Sequence, residues 1–310
     1  MLALIIKRIL QAIPVLFIVV TVTFFLVRLA PGGPFDTDKA VAPEVMEALR
    51  EAYNLNAPMH QQYFDYLANL VQGELGPSYK FPSRSVNEII AESFPVTVEL
   101  ALYAITLAIF IGMPLGIIAA VKSNTWLDYL PMSVAMIGIC LPSMLLGPLL
   151  ILSLGIYFNM FPVSGWGFLP GDKILPALTL ASAYGAYIAR ITRSGMLEVL
   201  SQDYIRTARA KGLSAMRVIL VHALRGGVSP VVSFLGPAFA GLLAGSFVVE
   251  TVFQIPGLGR FFVQAAFNRD YTMILGTTIF FASVIIMCNL AADILLIFLN
   301  PKLRKGNTAD

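Results

Sequence analysis

Long apolar runs alternate with shorter polar stretches along the chain, and six of the runs are candidates to cross a bilayer. The first is Ile9–Val27, preceded by Lys7 and Arg8. Roughly 17–25 apolar residues cover the hydrocarbon thickness. Basic residues before an apolar run also occur in signal peptides, but no small-x-small cleavage site follows, so an uncleaved first helix is expected. Five further runs lie at Val98–Val121, Leu130–Phe158, Ile174–Ala189, Val228–Val249 and Met273–Leu299. The third is long for one straight span, and Pro131, Pro142 and Pro148 offer places to bend.

Between the first two runs, residues 28–94 form the longest polar segment. Pro43 suits a first helical position, and Val45, Met46, Leu49 and Tyr53 follow at helical spacing. A second amphipathic pattern runs from Pro58 to Val71 through Tyr63, Leu67, Leu70 and Val71, and a third from Val86 to Phe94. Gly73, Gly76, Pro77 and Pro82 punctuate them. This predicts a small, partly helical layer, too short for an enzyme domain with its own core.

Composition agrees with the pattern. Of 310 residues, 57% are hydrophobic and 13% charged, where a soluble domain would carry about one-quarter charged residues. A net charge of +3 gives no reason to expect nucleic acid. Position matters more than total. Six spans put both ends on one side, and that side collects Lys7, Arg8, Lys122, Arg190, Arg193, Arg206, Arg209, Lys211, Arg217, Arg225, Lys302, Arg304 and Lys305, 13 of the 21 Lys and Arg residues. The short loops opposite hold only Lys173, Arg260 and Arg269. The positive-inside rule therefore predicts both termini in the cytoplasm. Residues 1–27 are read as N-terminus and first span, 28–94 as the extracytoplasmic segment, 95–300 as a five-helix domain with a cytoplasmic loop at 190–227, and 301–310 as a tail.

Catalytic signatures are missing: no GxxxxGK[ST], HExxH or GxSxG pattern occurs. His60 and His222 have no metal-ligand spacing around them, and Cys140 and Cys288, both in apolar runs, are expected to be buried small hydrophobes. Glu99 and Glu250 fall near the predicted outer ends of spans. Asp293, one turn after Asn289, is the carboxylate inside the last run, close enough to its end to pair with a basic loop residue. Gly112 with Gly116 and Gly241 with Gly245 make two GxxxG pairs, a spacing that lets membrane helices approach.

The segment Glu198–Arg225 is the soluble-looking stretch of the second half. Asp203 can open a short helix through Ile205, Arg206, Ala208, Arg209, Ala210 and Lys211, with Gly212 as its left-handed cap. Ser214 can cap a second helix with Met216, Ile219, Leu220 and Ala223 on one apolar face. A helix of about two turns is marginal alone in water and needs a partner surface. Headgroup contact accounts for Arg190, Arg193 and Arg225. It accounts less well for Ala208, Ala210 and Gly212, whose small side chains between basic ones suit insertion into a protein groove.

Asp203-Tyr204-Ile205-Arg206-Thr207-Ala208-Arg209-Ala210-Lys211-Gly212-Leu213 resembles the cytoplasmic Glu-Ala-Ala loop of importer-type ABC permeases in its peptide-permease form. Ala208 and Gly212 match that pattern, while Arg206 and Thr207 stand in place of its Glu and first Ala. Further stretches carry a resemblance to B-type permease subunits of oligopeptide and dipeptide importers. They are Leu29–Phe35, Ser93–Thr97, Glu250–Phe253, Ile255–Gly259, Asn268–Tyr271 and Asn300–Arg304. The resemblance implies an all-α type I importer fold in the bacterial inner membrane, with residues 203–213 as the ATPase-coupling loop. It further implies no cofactor on this chain, with ATP and Mg on two cytoplasmic ATPase subunits, a second homologous permease subunit and an extracytoplasmic peptide-binding protein. That protein is expected to meet residues 28–94 and the loop Thr251–Tyr271, unless Phe253, Phe261, Phe262 and Phe267 anchor that loop in the membrane interface. Dipeptides, nickel chelates or other small solutes are the alternative cargo. A proton-coupled secondary transporter and a non-transporting scaffold are the alternative classes. Residues lining the substrate path are not assigned.

Overall fold

The structure, a computed structural model, describes residues 2–30, 32–35, 43–81 and 83–299. Its described residues are helical apart from turns and one isolated bridge between Pro77 and Ser85. In order the helices are α1 (Leu2–Leu29), α2 (Pro43–Ala52), α3 (Met59–Val71), α4 (Val86–Val121), α5 (Trp126–Cys140) and α6 (Ser143–Leu150), the last continuing as a π-helical stretch, Ile151–Tyr157. There follow α7 (Ile174–Leu200), α8 (Asp203–Ala210), α9 (Ala215–Arg217), a second π-helical stretch (Val218–Ala223) and α10 (Leu224–Gly227). The rest are α11 (Ser229–Gly245), α12 (Phe247–Val252), α13 (Leu258–Asn268) and α14 (Tyr271–Leu299).

Among the described residues, five helical stretches are long and apolar enough to cross a membrane: Arg8–Leu29, Val86–Val121, Ile174–Leu200, Ser229–Val252 and Tyr271–Ile294. The expected third span is instead α5 and the helix through Tyr157, bent by 108° at Leu141–Pro142. Pro142 is the breaking proline, because it removes a donor and forces Leu141 into an extended conformation, ψ 115°. Pro131 and Pro148 lie inside helices. The pattern at Val86–Phe94 is not a separate helix. It is the first turns of the 36-residue α4. The fourth run extends past Ala189 to Leu200, so Arg190 and Arg193 are helical residues. Cys140 is exposed and Cys288 half-buried, against the expectation of burial. Lipid tails are as apolar as a core, so an apolar membrane run does not tell inside from outside. The side chains of Val45, Met46 and Leu49 and the stretch Asn300–Arg304 lie outside the described residues.

The chain forms two compact units, Met1–Val96 with Pro256–Ile286, and Thr97–Ile255 with Met287–Asp310. In the first, Val20 and Phe24 of α1 bury against Tyr66 of α3 and Leu275 and Ile279 of α14. Val86, Ile89 and Ile90 of α4 bury against Leu258 and Ala265 of α13 and Met273 of α14. Asp270, fully buried, ties the loops of this unit together. It accepts hydrogen bonds from the Ser78 hydroxyl, from the backbone N–H of Tyr79 (3.1 Å) and Met273 (3.1 Å), and from Thr272 (3.0 Å). A buried carboxylate is tolerated when donors replace its water in this way. Of the four phenylalanines considered as interface anchors, Phe267 in α13 is 83% exposed.

In the second unit α7 is the central helix. Gly112 and Gly116 of α4 lie on its backbone, and a Cβ at either would overlap the carbonyl oxygen of Gly185 or Ala189. The first GxxxG pair is thus a helix contact. The second is not a pair: Gly241 meets the Tyr184 hydroxyl, whereas a Cβ on Gly245 would meet nothing within 4 Å. Phe253 is fully buried and approaches Gly147, so it does not anchor an interface. Glu99 accepts from Trp166 Nε1 (2.9 Å) and Lys173 Nζ (2.6 Å), and this bond holds the Lys173 ammonium above its ordinary pKa. Glu250, fully buried, accepts from the hydroxyls of Thr97 and Ser246, each at 2.8 Å.

Replacing Gly112 by Leu should lower stability by about 1–3 kcal/mol, the usual range for overpacking. Gly245→Leu should leave it unchanged. Thermal unfolding of both variants in the same detergent checks the contrast.

Candidate functional site

The α8 segment is short and highly charged, and its geometry explains how it stays folded. Lys211 ends the helix and Gly212 follows at φ +77°. The Gly212 N–H donates to the Arg209 carbonyl (2.9 Å) and the Leu213 N–H to the Ala208 carbonyl (3.4 Å). This is the paired closure of a Schellman motif, with Leu213 packed in the same cluster as Ala208. A Cβ on Gly212 would meet nothing within 4 Å. Glycine is therefore needed there for backbone conformation and not for space.

The helix has two distinct sides. Ile205 (fully buried) and Ala208 (5% exposed) pack with Ala120 of α4, Met196 of α7, and Val218 and Ala223. Asp203, Tyr204, Arg206, Thr207, Arg209, Ala210, Lys211 and Gly212 are exposed, and Leu213 is half-buried. The small residue Ala208 therefore serves the chain's own core, not an outward groove. Ala210 and Gly212 remain outward. Arg206 reaches Asp203 at 3.5 Å, an exposed pair of little energetic weight.

The expected second helix differs in its buried face. Met216 and Leu220 are exposed, at 66% and 53%, while Val218 and Ala223 are buried. The cause is the π-helical stretch Val218–Ala223, in which residues five apart stack, so the face that a 3.6-residue period predicts is rotated away.

The far end of the loop is fastened to α7, from which the near end continues. A Cβ on Gly195 would overlap the Gly227 carbonyl oxygen, and one on Gly227 would overlap Met196. Arg193, read from sequence as a headgroup residue, instead makes a two-bond ion pair with Asp128 of α5. Its Nε and Nη2 donate to Oδ1 (2.6 Å) and Oδ2 (2.7 Å). Asp128 is 1% exposed and also accepts from the Asn124 N–H at 2.9 Å. Sequence reasoning missed Asp128. The signal was an acidic residue in a first helical turn directly after Asn124-Thr125. Arg190 and Arg225 are exposed and Asp293 is half-buried.

Beside the α5–α6 break lies a notch of about 270 Å³. Leu141, Ser143, Thr179, Ser182, Tyr184 and Gly241 contribute to its wall. Ser182 and Thr179 hydroxyls donate to backbone carbonyls (2.8 and 2.7 Å), whereas the Tyr184 hydroxyl has no hydrogen-bond partner among the described residues. Broken helix backbone at membrane depth is tolerated where it is buried in protein or lines an aqueous cavity. Among the described residues no cluster of His, Cys, Asp or Glu could hold a metal ion.

Breaking the Asp128–Arg193 pair by Arg193→Met should destabilise by about 3 kcal/mol, because it strands a buried carboxylate. Combining it with Asp128→Leu should restore most of that loss, and thermal unfolding of the single and double variants measures both.

Comparison with known proteins matches this architecture. The family model for the binding-protein-dependent transport system inner membrane component covers residues 112–305, and its N-terminal companion covers 1–101. The oligopeptide transport system permease protein OppB of Haemophilus influenzae is 47% identical over 305 residues, 98% of this chain and all of that one. OppB of Escherichia coli K12 is 46% identical with the same coverage, and the dipeptide transport system permease protein DppB of Bacillus subtilis is 41% identical over 96% of this chain and 97% of its own. Among solved structures, an inward-facing MetNI methionine ABC transporter covers 68% of this chain and 96% of its own with a TM-score of 0.56 at 16% identity. At that identity the likeness is one of fold, the type I ABC importer permease fold. The chain is thus a multi-pass membrane protein and a transport component that works in a complex with other subunits. It belongs to the family of binding-protein-dependent transport system inner membrane components.

Proposed function

We propose that the chain is a permease subunit of an ATP-driven importer, forming half of the translocation path for oligopeptides, and that Asp203–Leu213 couples it to cytoplasmic ATPase subunits. The observation that carries the coupling assignment is the two-sided build of α8. Its apolar side is spent on the chain's own helices, and its charged, small-residue side is left exposed on a rigid mount. The family membership and the relatives named for oligopeptide and dipeptide transport support the substrate class.

On this reading ATP and Mg belong to two ATPase subunits that hold α8. A second, homologous permease subunit completes the path, and an extracytoplasmic binding protein delivers peptide to residues 28–94 and the loop Thr251–Tyr271. Both termini lie in the cytoplasm, which the distribution of basic residues supports. Closure of the ATPase pair displaces α8. Because α8 is fastened to α7, the displacement reorients the helices. The bundle must then have two packings with different affinities for ATP and for loaded binding protein. The notch at the α5–α6 break is the proposed contribution to the path. Its hydroxyls and backbone groups can bond a peptide main chain whatever its side chains. Among the described residues no charged side chain lines it, which suits a cargo of varied sequence.

Ala210→Trp tests the coupling assignment, since Ala210 is exposed and holds nothing in the fold. In proteoliposomes with all subunits, ATP-driven peptide uptake should fall about tenfold or more, with unfolding unchanged and copurification of the ATPase subunits weakened. Normal uptake by a fully assembled complex would refute the assignment. Uptake driven by a proton gradient without ATP would instead favour a secondary transporter.

A further inference from the structure

A second cavity, of about 440 Å³, lies within the first unit and is walled by the last turn of α1, by α3 and by the turn after it. Its volume is in the range of sites that take small molecules. Arg28 enters it from α1. The guanidinium stacks over the Phe24 ring (3.6 Å to the centroid) and donates to Gln62 Oε1 at 3.2 Å and the Phe24 carbonyl at 3.4 Å. No carboxylate among the described residues pairs with it. Tyr66 also lines the cavity. It is 8% exposed, yet its hydroxyl has no hydrogen-bond partner among the described residues. A buried donor without a partner is uncommon and asks for an explanation. Burial pushes the Tyr66 phenol well above its ordinary pKa and that of Tyr79, another wall residue, up to about 12, so both are neutral donors at physiological pH. Asp65 and Glu74 stand on the same wall, both exposed.

A cation and an unsatisfied donor on one part of a cavity, with two carboxylates on another, form a matched set for a molecule that carries both charges. We propose that this cavity binds a small zwitterion, its carboxylate at Arg28 and the Tyr66 hydroxyl and its ammonium toward Asp65 and Glu74, and that the zwitterion is a short peptide with free ends. The peptide identity rests on the function proposed above, whereas the charge pattern stands without it. A phosphatidylethanolamine headgroup carries the same pair of charges, but the faces of α1 argue against it. Arg28 follows Phe24 by one turn on the side that buries Val20, Phe24 and Val27, while Ile18, Val22, Leu26 and Leu29 form the exposed stripe opposite. A headgroup in the cavity would stand on the face of α1 opposite that exposed apolar stripe. A peptide reaches the cavity from water.

The test uses the assembled transporter in phosphatidylcholine nanodiscs, without its binding protein, titrated with tritiated trialanine and with N-acetyl-trialanine amide, whose ends are uncharged. Trialanine should bind saturably and the blocked form about tenfold or more weakly. Arg28→Met should lose about tenfold or more in trialanine affinity, and Tyr66→Phe several-fold, as expected for charge-assisted and neutral hydrogen bonds. Tyr66→Phe is nearly isosteric and keeps the test open if Arg28→Met fails to fold. Equal binding of the two ligands, equal binding by wild type and Tyr66→Phe, or no saturable binding would overturn the proposal. So would native mass spectra in which wild type, and not the variants, retains added phosphatidylethanolamine, since that assigns the cavity to lipid. ATP-driven uptake with saturating loaded binding protein is measured on the same purified transporter reconstituted in phosphatidylcholine proteoliposomes. Uptake without trialanine binding overturns the site alone, whereas binding without uptake supports the site and removes the transport reading.

Discussion

The structure of the second unit depends on how closely other backbones approach α7. Gly112 and Gly116 let α4 lie against it, and Gly195 and Gly227 do the same for the return of the loop beyond α8. In a bilayer these contacts have no hydrophobic drive behind them, because lipid competes equally for apolar surface. Dispersion between closely fitted backbones must hold the helices, and a single methyl group at a crossing removes the fit. The Asp128–Arg193 pair adds a directional constraint on the same helix. Two charges satisfy each other and fix the register of α5 on α7, where sliding would leave a carboxylate buried alone.

From this follows the character of α8. Eight residues of helix have too little cooperativity to persist in water. Here Ile205 and Ala208 are clamped between α4, α7 and the π-helical stretch, and the Schellman closure at Gly212 finishes the helix without a side-chain cap. The segment is thus packed against α7 along its buried side. On the coupling reading proposed above, such packing suits a mechanical link, since a loose loop would absorb a partner's motion instead of passing it on.

Much of this was legible in the sequence, and the misses share a cause. Apolar runs and basic loop residues identify the membrane class, and the Gly112–Gly116 contact and the Gly212 cap are legible as glycine patterns, although the same spacing at Gly241 and Gly245 marks no such pair. Residue pattern reports local period and average polarity only. It therefore merged α5 and α6, whose break depends on Pro142 in context. It misplaced the buried face after Ser214, where a π-helical turn changes the period. Its apolar run places Cys140 in an interior because lipid and core look alike in composition. Asp128 and Tyr66 were passed over for a related reason: a long-range partner, or the lack of one, leaves no trace in spacing.

On the coupling reading proposed above, α8 and α7 move as one body. Spin labels at Ser194 and Thr207, both exposed, in a background lacking Cys140 and Cys288, report it through their pulsed-EPR distance in the assembled transporter. The expected result is one narrow distance distribution that is the same without nucleotide and with ATP and vanadate. A shift of several ångströms between those states, or a broad distribution in either, would contradict it.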